Sequence, residues 1–172
     1  MTALQIRTLT ADDWAVWREV RLRALADAPK AFGSTLADWT GENDVEVRWR
    51  SRFDNVEFNA VAVIDDVVVG AVGGIVTADR PEAELISMWV APEVRGAGVG
   101  IRLIDSVVDW ARGLSIGHLT IAVRRDNHRA VALYERAGFE LTGPNPSDPT
   151  ENLMAVDLTG STASGGPVVS AL

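Results

Sequence analysis

Cysteine is absent from this 172-residue chain, so disulfides, thiolate metal sites and a cysteine nucleophile are excluded by inventory. Lysine occurs once, histidine twice and tyrosine once, so any chemistry needing those side chains has few places to sit. No apolar run approaches the roughly 18 residues that a membrane span requires. The first ten residues, Met-Thr-Ala-Leu-Gln-Ile-Arg-Thr-Leu-Thr, lack the cationic start and apolar run of a secretory signal, and a cytoplasmic location is the default expectation. Cationic excess is also missing: 24 acids against 16 bases give a formal charge of -8, which argues against a nucleic-acid partner. That acidity suits a cationic partner, although it equally serves solubility.

What is present is the balance of a globular protein, 47% apolar and 23% charged, at the length of one domain. Residues 1–158 read as that domain. Residues 159–172, made of Thr, Ser, Gly, Ala, Val, Pro and Leu without a charge, read as a flexible tail.

Residues 5–9 suggest a short strand, and Thr10 with Asp13 three residues on suggests a capped helix over 11–26 that turns Trp14, Trp17 and Leu25 inward. A second helical pattern around 42–53 places Val45, Trp49 and Phe53 on one face. The period then changes. Residues 58–64 and 67–76 are dense in valine and isoleucine around Asp65-Asp66, which predicts a hairpin, and residues 83–90 form a further strand ended by Ala91-Pro92. An amphipathic helix over 98–112, a strand over 119–123, a helix over 127–137 and strands over 139–142 and 153–158 complete the order. Antiparallel strands in the middle of such an order predict a mixed α/β sheet, not a doubly wound one.

Arg95-Gly-Ala-Gly-Val-Gly100 lies between a predicted strand and a predicted helix, where glycines let successive backbone N–H groups converge on one anion. A P-loop would need lysine and a hydroxyl residue after the last glycine, but Ile101-Arg102 follow. A dinucleotide fingerprint starting at Gly96 would need glycine at 101 and belongs to the first turn of a parallel unit. On its own, the loop also reads as a tight strand-to-helix turn.

Its surroundings decide otherwise. Residues 87–100, Ser-Met-Trp-Val-Ala-Pro-Glu-Val-Arg-Gly-Ala-Gly-Val-Gly, resemble the acetyl-coenzyme A signature of the GNAT superfamily of N-acetyltransferases: a strand, a proline, then Arg/Gln-x-x-Gly-x-Gly/Ala. Arg95, Gly98 and Gly100 occupy its fixed positions. Residues 127–139, Asn-His-Arg-Ala-Val-Ala-Leu-Tyr-Glu-Arg-Ala-Gly-Phe, resemble the second segment of that family at the expected distance. The resemblance covers about residues 5–158 and implies the GNAT fold, α/β of the α+β type, with a mixed, mostly antiparallel central sheet flanked by helices. It further implies acetyl-CoA as co-substrate, direct acetyl transfer to a primary amine in a ternary complex, and a small-molecule or peptide amine as acceptor.

Residue by residue, the resemblance carries coenzyme binding to Met88, Trp89, Val90, Arg95, Gly96, Ala97, Gly98, Val99, Gly100 and Asn127, with a bulge in the 83–90 strand and the Val90 N–H polarising the thioester carbonyl. Tyr134 takes the general-acid position, and Glu84 the position of a base in several members, with ordered water as the alternative. No metal is expected. Apart from the resemblance, Ile86, Met88 and Val90 read as the buried face of an alternating strand, and Glu84 shares their parity unless the bulge turns it and also reads as a surface glutamate. Tyr134 reads as a core residue and Asn127 as a helix cap. His118 reads as strand entry and His128 as exposed helix. The acceptor region is expected from residues 28–40 and 143–151, with Asp38 and Trp39 as candidate lining. A module that binds acetyl-CoA without turnover, a longer acyl donor, and homodimerisation all stay open.

Overall fold

The computed structural model describes residues 3–77 and 81–160. Asp79, Arg80 and residues 161–172 of the expected tail lie outside the described residues. The chain begins with β1 (Gln5–Thr8), and the Thr10 amide donates to Asp13 Oδ2 at 2.9 Å, opening a 3-10 turn that leads into α1 (Trp14–Asp27). Trp17 and Leu25 of α1 are buried as expected, whereas Trp14 is only half-buried.

The second helix, α2 (Glu46–Asn55), starts later than its apolar spacing suggested. Val45 is its extended N-cap and is exposed, while Trp49 is fully buried. The cause is polar: Asp44, just before the cap, accepts from Trp49 Nε1 at 2.8 Å and from Arg18 Nε at 2.6 Å, tying the entry of α2 to α1.

The hairpin of β2 (Phe58–Ile64) and β3 (Val67–Thr77) turns through Asp65 and Asp66, both left-handed at φ 52° and 61°. Two positive-φ residues make the tight turn that matches strand twist, and Asp tolerates it. β4 (Glu82–Val90) follows, then α3 (Val99–Gly113), β5 (His118–Arg124), α4 (His128–Arg136), β6 (Glu140–Asn145) and β7 (Asp148–Asp157). The last two strands are longer than expected. Residues 143–151 belong to their hairpin instead of forming a separate segment before the last strand.

These strands make one sheet in the order β1-β2-β3-β4-β5-β7-β6, antiparallel except for β4 with β5. It is the mixed, mostly antiparallel sheet that the sequence predicted. Its two faces are covered by different helices. A Cβ at Gly73 would lie 2.5 Å from Arg52 of α2, and one at the neighbouring Gly74 would lie 2.6 Å from Trp110 of α3. Successive strand residues point to opposite faces, so α2, with α1 packed beside it, lies on one side and α3 on the other. α4 joins α3, with Leu133 filling the space over Gly100.

Two irregularities of β4 open the sheet. Gly73 pairs with Ile86 and Ala71 with Trp89, so one residue of β3, Val72, opposes two of β4, Ser87 and Met88, and Ser87 sits in the bulge at φ 56°. On its other side β4 pairs with β5 only from Glu82 to Glu84. Beyond Glu84 the two strands part, leaving the backbone of residues 85–90 without a partner on that side.

Candidate active site

The gap between β4 and β5 is the mouth of a cleft of about 970 Å³ that is lined from both sides of the sheet. Its anion-binding end is built from the turn after β4. Gly96 and Gly98 are left-handed at φ 85° and 84°, a backbone that glycine adopts without strain, and Gly98 caps α3. The first amide to close on the helix is that of Arg102, 3.2 Å from the Gly98 carbonyl. Those of Gly98, Val99, Gly100 and Ile101 make no backbone hydrogen bond among the described residues. Unsatisfied N–H groups at the positive end of a 15-residue helix favour an anion there.

The residues expected to hold a coenzyme divide by how they serve. Met88, Val90, Gly96, Gly98 and Gly100 line the cleft. Val99 offers only its amide, because its side chain is buried beneath Gly70. Ala97 does not line the cleft, and its amide bonds back to Val94. Trp89 reaches the cleft wall, but its indole is buried against α1, donating to Asp27 at 2.9 Å with Arg23 stacked over it at 5.2 Å. Arg95 braces the loop, donating to the Val90 carbonyl at 3.0 Å and to Asp27. Asn127 caps α4, its side-chain oxygen accepting from the Ala130 amide at 3.1 Å, and also borders the cleft.

Simple alternation along β4 fails at the bulge. Glu84 and Ile86 share the α1–α2 face with Trp89, whereas Met88 and Val90 point to the α3 face, where the Met88 methyl approaches Gly100. The fully buried residues of the strand are Ala83, Leu85 and Trp89, while Ile86, Met88 and Val90 are half-buried. A single inserted residue therefore gives β4 a wall on each side of the gap.

Tyr134 of α4 is 3% exposed and packs edge-on against Phe139 at 5.6 Å. Its hydroxyl makes no hydrogen bond among the described residues, yet it is not sealed off and opens on the cleft. Burial raises its pKa well above the usual phenol range, so it keeps its proton around neutral pH. Glu84 borders the cleft beside Glu151 of β7, whose other contact is a 2.8 Å bond from Asn145. Burial, and then the Glu151 charge, raise the Glu84 carboxyl above the ordinary carboxylate range.

Neither Asp38 nor Trp39 lines the cleft. Asp38 caps its own loop, accepting from the Thr35 amide at 2.7 Å, and Trp39 is stacked between Trp49 and Arg48. The chain places Arg21, Phe32 and Gly33 there instead. Phe32 and Gly33 fall inside the expected region, but Arg21 had no signal, being one of three arginines in a helix of weak amphipathicity. His118 and His128 are exposed and away from the cleft, and the described residues contain no group of three or more His, Asp or Glu suited to a metal ion.

Residues 15–139 match the family model described as the acetyltransferase (GNAT) family. An aminoglycoside N(6')-acetyltransferase type 1 from Stenotrophomonas maltophilia is 30% identical over 144 residues, 82% of this chain and 89% of that protein. A mycothiol acetyltransferase from Brachybacterium faecium is 29% identical over 76% of this chain but only 39% of its own length. The chain spans less than half the length of the first curated relatives it matches. Among solved structures, yncA from Salmonella typhimurium, described as a putative acetyltransferase with its cofactor acetyl-CoA, superposes with a TM-score of 0.72 at 21% identity, covering 96% of this chain and 99% of that one.

Proposed function

This chain belongs to the acetyltransferase (GNAT) family, and from that premise we propose that it moves the acetyl group of acetyl-CoA directly to a primary amine, both substrates being held at once. The observation that carries this reading is the parting of β4 and β5, which puts the anion loop, the bulged strand, Tyr134 and Glu84 around one cleft.

The cleft suits acetyl-CoA at each end. The free amides of residues 98–101 suit a pyrophosphate, and the unpartnered edge of β4 suits an amide-bearing arm that adds to it as a strand would. An N–H of β4 past the bulge, with Val90 the candidate, stabilises negative charge on the thioester oxygen as the amine attacks. The C–N bond forms and the C–S bond breaks, with Tyr134 giving its proton to the departing sulfur. The amine's proton passes to Glu84, directly or through one water. Raised proton affinity serves both residues: it keeps the phenol protonated and makes the carboxylate a stronger base.

The test is thiol release from acetyl-CoA across polyamines, amino acids, aminoglycosides and peptide N-termini. At least one class is expected to accelerate release well above hydrolysis. Tight acetyl-CoA binding by calorimetry with no acceleration by any class would leave a binding module and remove the enzyme.

A further inference from the structure

We infer that the acceptor is an amine that also carries an anionic group, a carboxylate or phosphonate, with Arg21 receiving the anion while the amine faces Glu84 and Glu151; the inference rests on the acetyl-transfer reading above. Arg21 leaves α1 toward the cleft wall and is only 9% exposed. Its guanidinium lies 4.6 Å above the Phe32 ring, and Nη2 donates to Ser34 Oγ at 3.2 Å. Nη1 is buried and meets no acceptor among the described residues. Arg21 makes no ion pair among the described residues, and the charged group that perturbs its neighbour Arg52 is Arg21 itself, a second cation.

A buried cation without an anion is a costly arrangement, and chains that keep one generally answer it with a ligand or a carboxylate. Arg52 is answered by neutral acceptors, Asn59 Oδ1 at 2.9 Å and Ser87 Oγ at 3.1 Å. Arg21 is answered on one nitrogen and left open on another, with its plane fixed by Phe32. That leaves a held guanidinium with a donor still to offer an anion. Nη1 is closed off from water, so an anion reaches it only as the cleft wall beside Arg21 gives way. The same cleft is also bordered by Glu84 and Glu151, a negative wall that suits an ammonium. A cleft positive at Arg21 and negative at Glu84 selects an acceptor with both charges.

The test uses acceptor twins that differ only in the remote group: 4-aminobutyrate, 4-aminobutanamide and butylamine, and L-leucine, L-leucinamide and isopentylamine. Thiol release is expressed per free amine, and the same compounds are tested for thermal stabilisation of the CoA-bound protein. Wild type is expected to favour the anionic twin by about 10- to 100-fold in kcat/KM, chiefly through KM. That preference should collapse toward one in Arg21→Met and survive in part in Arg21→Lys. Neutral twins acetylated as well as the anionic ones would overturn the inference and leave acetyl transfer standing. A preference that persists in Arg21→Met would overturn the role of Arg21. If Arg21→Met fails to fold, Arg21→Lys and the wild-type series decide. If no amine of any charge is acetylated, the transfer reading fails, and absence of selective stabilisation by the anionic twins then removes the anion site as well.

Discussion

Burial acts on Tyr134 and Glu84 in the same direction, since both are acids whose charged form is disfavoured away from water. For Tyr134 the consequence is a proton held ready beside the cleft. Tyr134→Phe keeps the ring and its contact with Phe139 but removes that proton, and kcat is expected to fall about 10- to 1,000-fold with little change in the KM for acetyl-CoA. Steady-state kinetics where chemistry limits the rate checks this, and wild-type turnover would reduce Tyr134 to packing. For Glu84 the consequence is a pH limb. As the proposed base, Glu84 acts as the carboxylate, so kcat/KM is expected to rise with pH through its raised value. Glu151→Gln removes a like charge and should move that limb to lower pH, which a pH profile of the variant reads directly. At Gly98 the φ of 84° penalises a branched side chain, and the added atoms stand where an anion would approach the free amides. Gly98→Val is therefore expected to weaken CoA binding severely in a folded protein, measured by calorimetry.

At the level of elements, the sequence was most legible where periodicity is local. Helices α3 and α4, the Asp65-Asp66 hairpin and the glycine turn all emerge within a residue or two of where their patterns place them. It was least legible where one residue breaks a pattern. The resemblance put a bulge somewhere in the 83–90 strand, but nothing marks Ser87 as its place, and only the pairing with β3 shows that Glu84 and Met88 face opposite ways. The candidate site followed the same division. The glycine loop, Tyr134 and Glu84 were found through motif positions. Arg21 reaches the cleft only through the crossing of α1, which no spacing encodes, whereas Glu151, the last residue of the expected 143–151 segment, is brought there by the register of β7 on β5. The entry to α2 shows a similar long-range device. Asp44 is held down to about 2, first by the Arg18 hydrogen bond and then by the Trp49 indole. A depressed carboxyl adds stability above the ordinary carboxylate range and loses it as pH falls toward that value. The difference in Tm between wild type and Asp44→Asn should thus be largest near neutrality and shrink toward pH 2, as a melting series would show.

Across the whole molecule, the parted sheet joins two faces that the helices otherwise keep separate. The anion loop and Tyr134 belong to the side of α3 and α4, while Arg21 and Phe32 belong to the side of α1. On the proposed reading two substrates enter from opposite sides and meet at β4, and no acetylated enzyme forms. Acetyl transfer by direct attack predicts a specific dependence on both substrates. The decisive measurement is a matrix of initial rates over acetyl-CoA and an active amine, with released thiol counted against acetylated amine. Intersecting lines with one thiol per acetylated amine, and no thiol burst before amine is added, are the expected result; parallel lines, or a stoichiometric burst without amine, would contradict it.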